Sequence, residues 1–133
     1  MRLSNMADYA VVVMSAASRH CGSARVSATD LAAETGLALP TTQKLVSILT
    51  KAGLLRSARG TGGGITLARP AAAITMADII EAVEGPIAMT ACCDSGKHDC
   101  AMEGSCLVQP HWAVVNKTVR GALAEINLAG LVR

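Results

Sequence analysis

At 133 residues and a net charge of +2, the chain has the size of one domain with room for a long projecting helix. Half of it is apolar, yet it has no Phe, and Tyr9 and Trp112 are its sole aromatic residues. The core must therefore be aliphatic, and stacking of single-stranded bases on aromatic rings is disfavoured as a function.

The predicted first helix runs from about Ser4 to Arg19. Its apolar run AVVVMSAAS, residues 10–18, follows Arg2 as the apolar part of a signal peptide would. Asp8 just before it and the shortness of the run favour an amphipathic helix instead. No segment approaches the ~18 uninterrupted apolar residues of a membrane span. The expectation is a cytoplasmic protein without a membrane partner, in which five reduced cysteines serve metal binding or redox sensing rather than a disulfide framework.

A second helix starts at SATD, where Ser27 and Asp30 stand in capping-box register, and stops at Thr35-Gly36. A third spans about Pro40 to Ala52, with Leu45, Ile48 and Leu49 at helical spacing and Gly53 as its stop. Two short strands follow, about Leu54–Ala58 and Gly64–Ala68, joined by RGTGGG. Thr75 and Asp78 form a second capping box for a helix reaching Val83. A cysteine-rich loop leads to a last helix, about Pro110 to Leu128. Its residues Trp112, Val115, Val119, Ala122, Ile126 and Ala129 step by three and four, the seam of a helix that pairs with another copy of itself.

Helix, turn, helix and glycine-tipped hairpin is the order of a winged helix-turn-helix. Charge agrees with that use: from Thr35 to Ala77 there are five cations (Lys44, Lys51, Arg56, Arg59, Arg69) and no acid. In such folds the start of the recognition helix enters the major groove. Here that start is Thr41, Thr42, Gln43 and Lys44. Gln43 suits the adenine edge, while Thr41 and Lys44 suit phosphates or thymine methyls. At the hairpin tip, Arg59 and Gly60 open a slim loop able to put a guanidinium into an A·T-rich minor groove.

Between residues 92 and 106 lie four of the five cysteines, in CCDSGKHDCAMEGSC. Cys93, Cys100 and Cys106 are spaced C-x6-C-x5-C in a polar loop with glycines at 96 and 104. Such a loop has little apolar reason to fold, so a bound metal centre would supply its ordering energy. Structural zinc sites use tight C-x2–4-C pairs, which are absent; wider gaps between thiolates suit an iron–sulfur cluster. Adjacent side chains rarely converge on one centre, so either Cys92 or Cys93 is a bystander or a redox partner. Cys21, remote in sequence, reads as incidental.

These residues together resemble the IscR and NsrR type of bacterial iron–sulfur regulator, the Rrf-two family. MRLSNMADYAV, LAAETGL, LLRSARGTGGGITLARP, ITMADIIEAVEG and the three-cysteine loop carry the likeness over nearly the whole chain. Within the family, HDCAMEGSC followed by PHW looks closest to the subgroup that controls the SUF cluster-assembly genes. The resemblance implies a dimeric winged-helix regulator of double-stranded operator DNA holding a 2Fe–2S or 4Fe–4S cluster. It carries the ligand role to Cys93, Cys100 and Cys106, and the DNA-contact role to Gln43 and Arg59. IscR-like members have glutamate where this chain has Gln43, which implies a different operator preference. They also have histidine where this chain has Gln109, and NsrR-like members use an N-terminal aspartate of the partner subunit. The fourth ligand is thus left between Asp8 and His111, with His98 behind them.

The expected architecture is mainly α with a small β-hairpin: a winged helix-turn-helix domain (1–84), a cluster-binding loop (85–109) and a dimerisation helix (110–133). The expected function is transcriptional regulation responsive to cluster or redox status, not enzymatic catalysis. Alternatives are a metal-free thiol switch or nitric-oxide-responsive repressor of the same fold, and a zinc- or cluster-carrying assembly protein.

Overall fold

The structure, a computed structural model, describes residues 2–20, 25–58, 63–93, 101 and 105–131. Its first helix, α1, covers Asn5–Arg19 and is capped by Ser4, whose hydroxyl accepts the Ala7 N–H. Ala7, Ala10, Val13, Met14 and Ala17 fall at spacings of three and four and are buried. The alanines let neighbouring helices approach closely, which an aliphatic core without Phe requires.

Helix α2, Ala28–Thr35, has the full capping box: Ser27 Oγ accepts the Asp30 N–H and Asp30 returns the bond to the Ser27 N–H. Gly36 ends it in the left-handed conformation (φ 79°), where a β-carbon would be strained. Helix α3, Leu39–Lys51, buries Thr42, Leu45, Val46 and Leu49, one face at i, i+3, i+4 and i+7. Thr42 is therefore a core residue whose hydroxyl donates to the Ala38 carbonyl, within the polar helix start that the sequence presents.

Strands β1 (Leu55–Ala58) and β2 (Gly64–Leu67) pair antiparallel, with Leu55 opposite Leu67 and Ala58 opposite Gly64. The Ile65 N–H also donates to the Val26 carbonyl, fastening the hairpin to the segment before α2. Gly64 permits this approach: a β-carbon there would lie 3.1 Å from Arg25 Cβ. Helix α4, Met76–Glu84, repeats the capping box with Thr75 and Asp78 and packs against α1. Met14, Leu31, Leu45, Leu49, Leu54, Ile74 and Ile79 form one aliphatic core.

The last long helix, α5, is Gln109–Glu125, shorter than the expected Pro110 to Leu128. Its end has a physical cause. Ile126 turns extended so that its carbonyl accepts the Met76 N–H, and the Leu128 N–H donates to the Ile74 carbonyl. Leu128 is then fully buried against the core and opens a short helix α6, Leu128–Leu131. Residues 126–128 thus belong to the packing of the aliphatic core, and Ile126 and Ala129 leave the helical seam. Among the described residues, no helix is long and apolar enough to cross a membrane.

Candidate nucleic-acid interface and cysteine loop

The recognition face is set by α3. With Thr42, Leu45 and Leu49 pinned inward, Gln43, Lys44 and Ser47 are exposed and Thr41 is half-buried. Gln43 and Val46 border a hollow of about 360 Å³ whose other wall is the hairpin, from Ser57 and Ala58 across to Gly63 and Gly64. Helix and wing therefore flank one concave surface. Arg59 and Gly60, expected to tip the wing, lie outside the described residues.

Behind this face, Glu34 of α2 bonds both Arg19 (Nε to Oε1, 3.0 Å) and His20 (Nε2 to Oε2, 2.6 Å) at the end of α1. Those bonds, His20 first, hold the Glu34 carboxyl below the usual range. Asp30 is likewise held low, chiefly by the Ser27 backbone N–H of its capping box.

The second region is the junction of the 85–93 segment with α5. Gln109, Ala113, Asn116 and Arg120 recur along one stripe of α5 that faces its own domain. Arg120 bonds both oxygens of Glu81 in α4, with Nη2 at 2.8 Å and Nε at 3.3 Å, and the second oxygen also accepts the Ile87 N–H at 2.9 Å. Burial works against the Glu81 charge, but the Arg120 and Ile87 bonds outweigh it and its pKa is lowered. Asn116 accepts the Met89 N–H (2.7 Å) and donates to the Ile87 carbonyl (3.0 Å), so one amide holds the strap as a strand neighbour would.

This strap ends in a turn, Ala91–Cys93, where Cys92 and Cys93 meet Gln109, Ala113 and Asn116 around a hollow of about 190 Å³. Thr90 Oγ1 lies 3.0 Å from Cys92 Sγ and 3.5 Å from Cys93 Sγ. Cys93 Sγ also lies 3.6 Å from the Trp112 carbonyl. Cys106, half-buried, sits just before α5, whereas Cys100, His98 and Cys21 lie outside the described residues. Asp8 is exposed in the first turn of α1. His111 is exposed on α5, about 200° round the helix from Gln109. Asn116 and Thr90 had no place in the sequence reading, and Gln109 entered it only as the position of a histidine in similar proteins, three residues past Cys106.

An iron–sulfur centre can be tested against this donor set. Soft sulfurs open on a small hollow with polar walls, which is the right chemistry. Among the described residues no three His, Cys, Asp or Glu side chains converge. Of the three spaced cysteines, Cys93 borders this hollow, Cys106 is half-buried just before α5, and Cys100 lies outside the described residues.

Helix-turn-helix, fastened hairpin and a concave face bordered by Gln43, with Lys44 exposed on the same helix, are the parts of a winged-helix DNA-binding regulator. The chain belongs to the Rrf2 family, described as iron-dependent transcriptional regulators, whose match covers residues 3–133. The HTH-type transcriptional regulator IscR of Xenorhabdus nematophila is 34% identical over 133 residues, covering 100% of this chain and 80% of that protein. Among solved structures, T. potens IscR superposes with a TM-score of 0.76 at 30% identity, covering 99% of this chain and 86% of the other. CymR, the global cysteine regulator of B. subtilis, superposes with a TM-score of 0.79 at 26% identity, covering 99% and 96%. The chain is thus a transcriptional regulator and not an enzyme.

Proposed function

We propose that the protein is a homodimeric regulator of operator DNA that senses iron–sulfur or redox status through a cluster held by Cys93, Cys100 and Cys106, and that it controls iron–sulfur assembly genes. The observation that carries this is the cysteine turn seated on α5, the helix that also bears an exposed apolar seam. The name of the IscR relatives and the family's iron dependence support it. Asp8 from a partner subunit and His111 remain the candidates for a fourth ligand.

When bound, the cluster would supply a redox-active, oxygen- and nitric-oxide-sensitive centre. The chain's own residues do the rest. Cys93 and Cys106 sit at the two ends of the loop, so ligation would fix these two positions relative to one another. Asn116 and Glu81 then pass the position of that turn to α5 and α4, and α4 lies against α1. Each protomer's reading face is thereby set relative to the dimer axis, and cluster and operator alter each other's affinity.

Absorption spectra with iron and sulfide analysis on protein purified without oxygen test the first half. Matching iron and sulfide with visible bands is expected; a colourless protein after anaerobic reconstitution would sink the cluster. Operator affinity of the loaded protein against the Cys93/Cys100/Cys106→Ala variant tests the second, and identical affinities would refute the coupling.

A second reading, a metal-free thiol switch of the same fold, is favoured by the adjacent half-exposed thiols of Cys92 and Cys93 and by the likeness to CymR, whose Staphylococcus aureus form has been seen oxidised. It predicts DNA binding insensitive to iron chelation and restored by dithiothreitol. Family membership sets aside the assembly-protein alternative.

A further inference from the structure

We propose that Arg56 and Thr66 form a seat for a DNA backbone phosphate on the outer face of the wing, one strand beyond the groove that α3 reads. The proposal rests on the reading of α3 as the major-groove helix and of the hairpin as a wing in the adjacent minor groove. Strand alternation divides the hairpin into two faces. Leu55, Ser57, Ile65 and Leu67 share one face by register. That face is turned inward: Leu55 and Ile65 are buried, and Ser57 borders the hollow shared with Gln43. Arg56 and Thr66 stand opposite one another on the other face, and both are exposed. Directly opposed residues of an antiparallel pair hold their β-carbons about 5 Å apart, so a guanidinium and a hydroxyl can reach one ligand together.

The protein itself makes no claim on this pair. Arg19, Arg69 and Arg120 are each bonded to a carboxylate, whereas among the described residues the Arg56 and Thr66 side chains have no partner. No acid occurs between Thr35 and Ala77 to neutralise the guanidinium locally. Arginine offers only donors and the hydroxyl adds one more, which complements a phosphodiester, an anion that offers only acceptors.

The geometry of the duplex fixes which phosphate is meant. One sugar-phosphate strand separates a major groove from the minor groove beside it. With α3 in the first and the wing in the second, the inner face of the hairpin, with Ser57, looks onto that strand. The outer face looks across a groove about 6 Å wide onto the other strand. The next pair towards the tip, Ala58 opposite Gly64, adds little bulk, so a backbone can come close. Arg56 thus grips the far wall of the minor groove and positions the wing without reading a base.

The test compares wild type, Arg56→Ala, Arg56→Lys and Thr66→Val on an operator selected from random DNA, by anisotropy over a salt series and by ethylation interference. Arg56→Ala is expected to reduce the slope of log K against log salt by about 1 for each protomer bound and to weaken all sequences alike. It also loses interference at the phosphate across the minor groove, while phosphates bordering the major groove keep theirs. Arg56→Lys restores the slope with a weaker affinity, since an ammonium lacks the guanidinium's planar fork. Thr66→Val weakens binding with the slope intact, because a hydroxyl carries no charge. An unchanged slope and pattern in Arg56→Ala overturns the proposal and leaves the wing reading standing. A loss confined to the strand between the two grooves also overturns it, because Arg56 would then face inward. Unaltered binding by Thr66→Val refutes the shared seat. Wild type without interference across the minor groove overturns both the proposal and the wing reading. Should Arg56→Ala fail to fold, Arg56→Gln, which keeps length and polarity, gives the same readout.

Discussion

Gln43 and Lys44 leave α3 for solvent one residue after Thr42 turns inward, and their chemistries make different predictions. A Gln amide can pair bidentately with adenine, so Gln43→Ala should cost about 1–3 kcal/mol at one base position and relax the preference there. A Lys ammonium reads charge, so Lys44→Ala should weaken all sequences alike and reduce the slope of log K against log salt by about 1. Anisotropy titrations over a salt series, on an operator selected from random DNA and its single-base variants, check both. The exposure of Gln43 was legible because a polar run at a helix start is a local pattern. The burial of Thr42 follows from the same helical period that places Leu45 and Leu49, but its polarity masked it. Asn116 was hidden for another reason: it meets Met89 from 27 residues away, so no spacing rule reveals it. Thr90 has its sulfur partners two and three residues on, but no sequence pattern marks a threonine for that contact.

Among the elements, both capping boxes and the Gly36 stop were readable because each is completed within four residues of chain. The end of α5 was not, because it is decided by Ile74 and Met76 some fifty residues earlier. What docks α5 is a set of polar bonds rather than buried area, since none of its residues is fully buried. Replacing Asn116 with Ala removes two bonds to the 87–89 backbone, a loss of about 1–3 kcal/mol in local stability. Amide hydrogen exchange should show the Met89 N–H losing protection while the amides of α3 keep theirs. Acid should act on the same joint through Glu81. A carboxyl whose folded pKa is depressed stabilises the fold above its unfolded value and loses that contribution as the pH falls through the folded one. Undocking of α5 should therefore begin below the usual glutamate value of 4.5, and Trp112 fluorescence, insensitive near neutrality, should report it. The variant Glu81→Gln should remove that acid transition; its persistence would place the responsible carboxyl elsewhere.

For the whole molecule, the question is what covers the outer side of α5. The stripe Gln109, Ala113, Asn116 and Arg120 is turned to its own domain. Trp112, Val115, Val119 and Ala122 lie roughly 110° away round the helix. Trp112 and Val115 are 38% and 40% exposed, and Val119, Ala122 and Leu123 run on into an apolar hollow of about 650 Å³ shared with Leu3, Ile80 and Ile87. A monomer rarely leaves so continuous an apolar face open. A C2 dimer presents the same patch from both copies, so one seam can cover its own image. One lysine at the middle of that seam would then meet its symmetry mate across the axis. Val119→Lys is therefore expected to give monomers in sedimentation equilibrium while retaining helix content, because Val119 contributes no fully buried surface within its own chain. Operator affinity should collapse with it. Two half-sites read by one rigid dimer are bound far more tightly than either half alone, since the second contact is made at high effective concentration. A single half-site should be bound equally weakly by variant and wild type. A dimeric Val119→Lys protein with normal operator affinity would overturn the proposed α5 interface, and with it the proposed route from the cysteine turn to DNA.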